Sequence, residues 1–393
     1  MDLRSSFSVI LVFLVLLGLP GDLESGSPKS GSRSPKSGGG FRNFFRKLHI
    51  PRIMQPFYKR FKGTERLENG VVVITGGASG IGEETAAELY RRGAHVIIGN
   101  RNSDTCDAVA KKIKEQPREI VIKDGHEEEI KHGHIECYYL DLNQLDSVKR
   151  FAEWLLANKK YINVLINNAG VMLADHQVIE DTKTELHIQS NHLGHFFLTI
   201  LLLPRLIRSG PSRIVTVSSK AHEYWRGGVI DFENEKALQM DPEKYSRWQA
   251  YARSKLFNIW FSAELSRRLR SHGVTTVNTY SLHPGIVHTP LYRNVKKWRW
   301  VGESLHKFFE TGFMKYFLRT PKEGAQTTLY CTLSTDVKDE SGLYYSNCHK
   351  KTPTKLAQDT AQHKKLWEFS MRKLAIAGVL EPGFYEESIY VSD

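Results

Sequence analysis

The run Val71-Val72-Val73-Ile74-Thr75-Gly76-Gly77-Ala78-Ser79-Gly80-Ile81-Gly82 decides the fold. Its aliphatic head is continuous rather than alternating, as in a strand buried on both faces of a parallel sheet. The glycines then turn the chain, and Glu83 to Arg92 reads as a helix. A second short strand, His95 to Ile98, ends at Gly99-Asn100-Arg101-Asn102. Further apolar runs recur at Cys137–Leu140, Val164–Ile166, Ile214–Val217 and Val274–Tyr280, with helical stretches between them. Strands regularly separated by helices predict an α/β, doubly wound parallel sheet. The alternation runs from about residue 69 onward, so the 393 residues are read as one large domain with an extension.

The glycine turn has a chemical reading. A strand entering a helix through Gly76, Gly80 and Gly82 lets backbone amides and the helix N-terminus approach a pyrophosphate. A tight strand–helix turn with no ligand would use the same residues. The end of the second strand bears on the choice of dinucleotide. Sites for NAD(H) place Asp or Glu there to accept from the ribose 2′-hydroxyl. Here no carboxylate occurs before Asp104, and Arg101 can pair with a 2′-phosphate, so NADP(H) is expected over NAD(H). The alternative is an exposed surface arginine.

Composition removes other classes. Charged residues make up 25% and hydrophobic residues 40%, which excludes wholesale disorder and a collagen-like fibre. Only one uncharged apolar run approaches spanning length, which excludes a polytopic membrane protein. The four cysteines, Cys106, Cys137, Cys331 and Cys348, form no Cys-x-x-Cys pair. That spacing predicts neither a disulfide framework nor a metal site. The net charge of +12 is uneven: residues 1–66 hold twelve Lys/Arg against four Asp/Glu, a local +8. Basicity that lies mainly in an extension argues against a nucleic-acid partner, whose footprint is usually a basic stripe on the fold itself.

The extension has three parts. Residues 1–21 carry an uncharged run, Ser5 to Gly21, that fits a signal peptide or a short signal anchor. Residues 22–40 include SGSPKSGSRSPKSGGG, a flexible Ser/Gly/Pro linker. Residues 41–68 open with FRNFFRKLHIPRIMQPFYKRFK, which interleaves seven Lys/Arg with five Phe and one Tyr and has no acid. That pattern suits the surface of an anionic membrane, or equally an arm packed along the domain. Lys and Arg follow the apolar run far more than they precede it. If the run is retained, this places the domain, residues 69–393, on the cytosolic side of a membrane such as the endoplasmic reticulum. If it is cleaved, the domain is lumenal or secreted. The chain has no Asn-x-Ser/Thr sequon, which leans toward the anchor.

Five more clusters follow in order: Asn167-Asn168-Ala169-Gly170, Asn191-His192-Leu193-Gly194-His195, Ser218-Ser219, Tyr251-Ala-Arg-Ser-Lys255 and His283-Pro284-Gly285-Ile-Val-His-Thr289. With the glycine turn they resemble the short-chain dehydrogenase/reductase superfamily, over residues 69 to about 375. The stretches Ala250-Tyr-Ala-Arg-Ser-Lys-Leu, Thr320-Pro-Lys-Glu-Gly-Ala-Gln and Gly342-Leu-Tyr-Tyr-Ser-Asn-Cys348 are similar to its retinol dehydrogenase-like branch. The resemblance implies a Rossmann-type fold and hydride transfer with Tyr251 as general acid/base. It implies that Lys255 favours tyrosinate and holds the nicotinamide ribose, that Ser219 bonds the substrate carbonyl, and that Asn191 holds a water beside Lys255. It also implies that Gly76, Ser79, Gly80, Ile81 and Gly82 line the phosphates and that Asp141 and Leu142 meet adenine. Asn168, Ala169 and Gly170 would back the adenosine ribose, and Pro284, Gly285 and Thr289 would sit near the carboxamide. Asn167 is expected to stabilise the sheet. A homodimer through the helices carrying Asn191 and Tyr251 is a family habit.

Two stretches stand apart. Lys114 to Glu136, with His126, His132 and His134, reads as a solvated surface insertion. Residues 290–320 hold eight aromatics and seven Lys/Arg against two acids, and in this fold they form the lid over the substrate. An aromatic, basic lid suits a lipophilic small-molecule substrate taken from a membrane surface. The functional expectation is therefore an oxidoreductase acting on a lipophilic alcohol and its aldehyde or ketone. Retinol/retinal is the branch's usual pair, with steroid, polyprenoid or fatty-aldehyde chemistry, or a non-catalytic NADP(H)-binding scaffold, as alternatives.

Overall fold

The computed structural model describes residues 59–117, 120–123, 126–287 and 319–379. The apolar run, the linker, most of the basic segment, the lid up to residue 318 and Thr289 lie outside the described residues. In chain order the elements are β1 (Val71–Thr75), α1 (Gly80–Arg91), β2 (His95–Asn100), α2 (Ser103–Lys114), β3 (Ile120–Lys123), β4 (His126–Glu129), β5 (His134–Tyr139), α3 (Leu145–Asn158) and β6 (Val164–Asn167). There follow β7 (Val178–Ile179), β8 (Thr184–Glu185), α4 (Gly194–Arg208), β9 (Ser212–Val217), α5 (Arg247–Ser271), β10 (Val277–His283), α6 (Pro321–Leu333), β11 (Leu343–Ser346), β12 (His349–Lys350) and α7 (Thr360–Ile376).

Eight strands form one sheet in the order β12-β11-β10-β9-β6-β1-β2-β5. Every pairing is parallel except β11 with β12. The alternation of strand side chains divides the core. Val73, Ile97 and Leu165 face α3, α4, α5 and α7, packing with Phe196, Phe261 and Trp367. Val72, Ile74, Val96 and Ile98 face α1 and α6, packing with Leu89, Ala325 and Leu329. Strand order reverses between β1 and β6, so the connections leaving their carboxyl ends, Thr75 and Asn167, run to opposite faces of the sheet and open a crevice where such sheets bind ligands.

Several boundaries differ from the sequence reading. Helix α1 begins at Gly80 instead of Glu83, because Ser79 serves as its N-cap and its carbonyl takes the first intrahelical bond from the Glu83 amide (3.3 Å). Strand β10 begins at Val277 instead of Val274, because the Val274 amide closes the end of α5 on the Leu269 carbonyl (2.9 Å) after Gly273 reverses the chain at φ +76°. The stretch 114–136 is only partly insertion. Its middle is the hairpin β3–β4, and its end enters the main sheet as β5. His132 packs edge-on against Tyr90 at 5.1 Å, and His134 meets His95 at 5.7 Å.

The cysteine reading needs correction. Cys106 on α2 and Cys137 on β5 form a disulfide across 31 residues of sequence. The parallel register that sets Cys137 opposite Ile98 carries its thiol to the buried face of α2. Cys331 and Cys348 are free.

Residues 59–66 lie along the body. The Phe61 ring meets Tyr330 at 6.0 Å and lies under the Arg92 guanidinium at 5.3 Å, while its amide donates to Gln326 Oε1 (3.0 Å). Among the described residues no helix is long and apolar enough to cross a membrane.

Candidate active site

At the end of β1 the chain takes φ +66° at Gly76, where a Cβ would also press on Ala169 at 3.0 Å. One turn into α1, a Cβ on Gly82 would stand 2.2 Å from the Gly76 carbonyl oxygen. The glycines thus bring the turn, the start of α1 and the β6 loop into backbone contact. The result is an open cleft, floored by Gly76, Ser79, Gly80, Ile81 and Gly82 and walled by Arg101, Asp141, Leu142, Asn168, Ala169 and Gly170. Thr75, Asn143, Val171 and Ser190 also line it, and sequence reasoning assigned none of them.

Arg101 is exposed at the rim. Its neighbours are spent locally: Asn102 caps α2 by accepting from the Thr105 amide (2.7 Å), and Asn100 donates to the Asn102 carbonyl (2.8 Å). Arg101 lines the cleft, and no carboxylate of the β2–α2 turn does. The backbone cradle and this cation fit a phosphorylated dinucleotide.

The β6 loop is held from beneath. Thr75 Oγ1 accepts from the amides of Asn168 and Ala169, both at 3.0 Å, and meets His195 Nε2 at 2.7 Å. The Asn168 carboxamide donates to the carbonyls of Thr75 (2.9 Å) and Gly76 (3.2 Å). Asn167 is buried in the sheet and donates to Thr199 Oγ1 (3.0 Å).

Past Gly170 the cleft reaches the polar cluster. Tyr251 and Lys255 lie one turn apart on α5, with the lysine Nζ 5.8 Å from the tyrosine ring centre. Lys255 Nζ donates to the Val217 carbonyl (3.1 Å). Asn191 sits in a π-turn, Gln189–Leu193, that widens the helix ahead of α4, a distortion frequent at functional sites. Its Oδ1 accepts from the Val171 amide (2.7 Å), and its Nδ2 donates to the Val171 carbonyl (3.0 Å) and Ser254 Oγ (2.9 Å). A Cβ on Gly170 would stand 3.1 Å from Asn191 Oδ1 and 3.4 Å from Lys255 Nζ. Ser219, two residues past β9, caps the short 3-10 turn Lys220–Tyr224 with an Oγ that accepts from the Ala221 amide (3.1 Å), and its hydroxyl also bonds the Tyr251 phenol.

Burial controls the charges. It pushes the Tyr251 phenol up to about 12, against the opposing hydrogen bond of Ser219. It pulls Lys255 down to about 8. The lysine was expected to favour tyrosinate, but here desolvation dominates, and at neutral pH the phenol keeps its proton.

The motif histidines are structural. His195 Nδ1 bonds the Asn191 carbonyl (3.1 Å), His192 Nε2 bonds Ser370 Oγ (2.8 Å) and His222 Nδ1 bonds the Ser219 carbonyl (2.7 Å). Burial holds His192, His195 and His283 near 3, so they stay neutral. Gly285 takes φ +89°, with its amide on His283 Nδ1 (3.1 Å), and Pro284 gives its carbonyl to Arg319 (2.9 Å). Neither Pro284 nor Gly285 lines the dinucleotide cleft. Among the described residues no group of three His, Cys, Asp or Glu could hold a metal.

Residues 70–231 match the short chain dehydrogenase family, and 314 residues are 40% identical to human retinol dehydrogenase 11, covering 80% of this chain and 88% of that protein. The chain belongs to the short-chain dehydrogenase/reductase family. Mouse retinol dehydrogenase 14 is 41% identical over 299 residues, 76% of this chain and 84% of that one. A solved structure of an uncharacterized Mycobacterium paratuberculosis protein matches with a TM-score of 0.59 and 31% identity, covering 81% and 97% of the two chains. These likenesses place the short-chain dehydrogenase/reductase described here in the retinol dehydrogenase-like branch, and it is an oxidoreductase. In this family the cleft is the NAD(P) site.

Proposed function

We propose that this oxidoreductase uses NADP(H) to interconvert a lipophilic alcohol and its aldehyde or ketone, with retinol and retinal the first pair to test. The observation that carries the reading is the meeting of Asn191, Lys255 and Gly170 beside the glycine-floored cleft, with Tyr251 and Ser219 hydrogen-bonded beside them. The bound cofactor supplies or accepts the hydride. Ser219 holds the substrate oxygen, the neutral Tyr251 phenol donates the proton that oxygen needs on reduction, and the Lys255 cation eases charge on the phenolate left behind. Gly76, Ser79, Gly80, Ile81 and Gly82 would hold the phosphates, and Asp141 and Leu142 the adenine. Asn168, Ala169 and Gly170 would back the ribose, Arg101 would pair with the 2′-phosphate, and Pro284, Gly285 and Thr289 would meet the carboxamide. A phenol that keeps its proton at neutral pH supports the reductive direction.

Half-buried Trp225 and Trp248 beside Tyr251 support an apolar substrate. Membrane attachment would come from residues 1–68, with the domain over 69–393. The Cys106–Cys137 disulfide is chemistry of oxidising compartments and supports the lumenal or secreted alternative for that domain over the cytosolic one.

The test follows NADPH and NADH consumption with all-trans-retinal for wild type, Tyr251→Phe and Arg101→Ala. Wild type should prefer NADPH, and Tyr251→Phe should lose at least about a hundredfold in kcat. Arg101→Ala should lose about ten- to a hundredfold of the NADPH preference, the worth of one charge-assisted contact. Retinal turnover that survives Tyr251→Phe would overturn the assignment of the acid. A preference untouched by Arg101→Ala would overturn that of the cofactor.

A further inference from the structure

Behind Tyr251 lies a buried ionic cluster that the chemistry above does not use. Glu185 and His187 have no exposed surface, and Arg253 is 2% exposed. Glu185 Oε1 accepts from Tyr245 Oη (2.7 Å) and from His187 Nδ1 (2.7 Å), and Oε2 accepts from the Ile188 amide (3.3 Å). Arg253 stands 3.9 Å from Oε2 and forks onto the carbonyls of Ala237 (3.1 Å) and Leu238 (2.6 Å). Burial alone would push Glu185 up, but the bonds from His187 and Tyr245 bring it below the ordinary carboxylate value. It is therefore an anion opposite a buried cation.

The cluster reaches outward to one surface. With Nδ1–H given to Glu185, His187 Nε2 is free to accept, and it takes the Ala174 amide at 3.3 Å. The residue before, Leu173, holds φ +54°, a left-handed conformation that costs a leucine about 1–2 kcal/mol and persists only where its surroundings impose it. Met172 and Leu173 pack with Ala221, Tyr251 and Ala252, and half-buried Trp225 and Trp248 complete the patch. The Arg253 guanidinium lies over the Trp225 ring at 5.7 Å, and the His187 ring stands edge-on to Tyr251 at 6.3 Å. Both apolar arms of the wall beside the reacting phenol, the 172–174 turn and Trp225, are thus tied to one carboxylate through His187 and Arg253. Replacing such a buried pair with apolar residues is often neutral for stability, and its best-attested use is to fix register.

We propose that Glu185, His187 and Arg253 form a positioning unit that holds the Leu173–Ala174 turn and Trp225 as the wall against which an extended apolar substrate aligns its carbonyl on Tyr251. The unit touches neither cofactor nor reacting atoms. It rests on the functional reading above and deepens it by assigning substrate-length specificity to this wall. A long substrate leans on the whole wall, whereas a short aldehyde needs only Ser219 and Tyr251.

The experiment compares KM and kcat for all-trans-retinal and for propanal, with NADPH Kd by fluorescence and the melting temperature, in wild type, His187→Phe and His187→Gln. His187→Phe keeps a ring but cannot accept from Ala174. It should raise the retinal KM about tenfold, one hydrogen bond's worth, and leave propanal KM, propanal kcat and NADPH Kd within about twofold. His187→Gln, whose amide oxygen reaches the Nε2 position, should restore the retinal KM to within about threefold of wild type. Equal losses on both aldehydes, an unchanged retinal KM, or a weakened NADPH Kd would overturn the proposal. Should His187→Phe not fold, Leu173→Gly leaves the buried cluster intact and must show the same retinal-selective rise. A wild type that turns over neither aldehyde removes the functional reading and this proposal together. A wild type active on both, with the KM ratio unmoved in the variants, removes the proposal alone.

Discussion

Replacing Gly82 by alanine sets two physical effects against each other. Alanine in a helix is favoured over glycine by about 1 kcal/mol, and Gly82 lies inside α1 with no left-handed requirement, so propensity alone predicts a stabilised protein. Sterics predict the opposite. The new methyl would stand 2.2 Å from the Gly76 carbonyl oxygen and 2.6 Å from Asn168 Nδ2. The first of these is backbone and cannot swing away. Displacing the Asn168 carboxamide forfeits its bonds to Thr75 (2.9 Å) and Gly76 (3.2 Å), about 1 kcal/mol each, and overpacking adds about 1–3 kcal/mol. After the propensity gain the net cost is about 2–4 kcal/mol, roughly 5–15 °C in melting temperature for a domain of this size. The Gly76 carbonyl belongs to the phosphate turn, so NADPH Kd should also rise at least about tenfold. Gly324→Ala is the control, since it too lies inside a helix, α6, but the nearest neighbours of its Cβ would be side-chain carbons, Val287 Cγ2 (2.7 Å) and Ile81 Cγ1 (3.0 Å), rather than a backbone oxygen. It should fall within about 1 kcal/mol of wild type. Thermal and urea melts with NADPH titration decide the matter. Equal stability of Gly82→Ala and Gly324→Ala, or a Gly82→Ala that gains stability, would refute the close approach of α1 to the turn.

Two further outcomes follow from the buried groups. Lys255 is held near 8, below its ordinary 10.5, so its cation is complete at pH 6–7 and is lost as pH rises through about 8. The kcat/KM for carbonyl reduction, which reports the free enzyme, should be level to about pH 7.5 and then decline about tenfold per unit. Lys255→Arg, slower throughout, should lack that limb, and a profile level to pH 9.5 in wild type would contradict the assignment. The Cys106–Cys137 bond closes 31 residues, worth about 3–4 kcal/mol of chain entropy, so dithiothreitol or Cys106→Ser should lower the melting temperature by several degrees or more. Detection of four free thiols in the native oxidised protein would exclude the bond.

The fold and the residues proposed to react were legible because they rest on local signals: a glycine at a left-handed turn, a tyrosine and a lysine one helical turn apart, aliphatic runs at strand spacing. The residues that escaped act through tertiary contact. Glu185 ends a two-residue strand, and nothing beside it in sequence announces a buried anion; its partners Tyr245 and Arg253 lie sixty or more residues away. Arg253 stands between Tyr251 and Lys255, and nothing in that motif marks the helix face it occupies as interior. Cys106 and Cys137 pair because the β2–β5 register brings strand and helix together, a fact of topology that spacing does not encode. The π-turn at Asn191 likewise leaves no mark of its own, since every residue in Gln189–Leu193 suits an ordinary helix.

The two halves of the site are locked together by a chain of buried bonds. His195 stays neutral because burial holds it near 3, so one ring nitrogen must donate and the other accept. The Asn191 carbonyl can only accept, which fixes the proton on Nδ1 and leaves Nε2 to accept from the Thr75 hydroxyl. Thr75 Oγ1 in turn spends its lone pairs on the Asn168 and Ala169 amides. Each member has one consistent direction of donation, and none can reverse without stranding a buried polar atom at about 1–3 kcal/mol. The turn that would cradle the phosphates and the asparagine beside Lys255 therefore cannot slide past each other. On the function proposed above, a frame this rigid would set where hydride and proton are exchanged and would leave the choice of substrate to the apolar wall beside Tyr251. That wall is built on a left-handed leucine and a buried ion pair, features which sequence change can alter without touching the reacting groups.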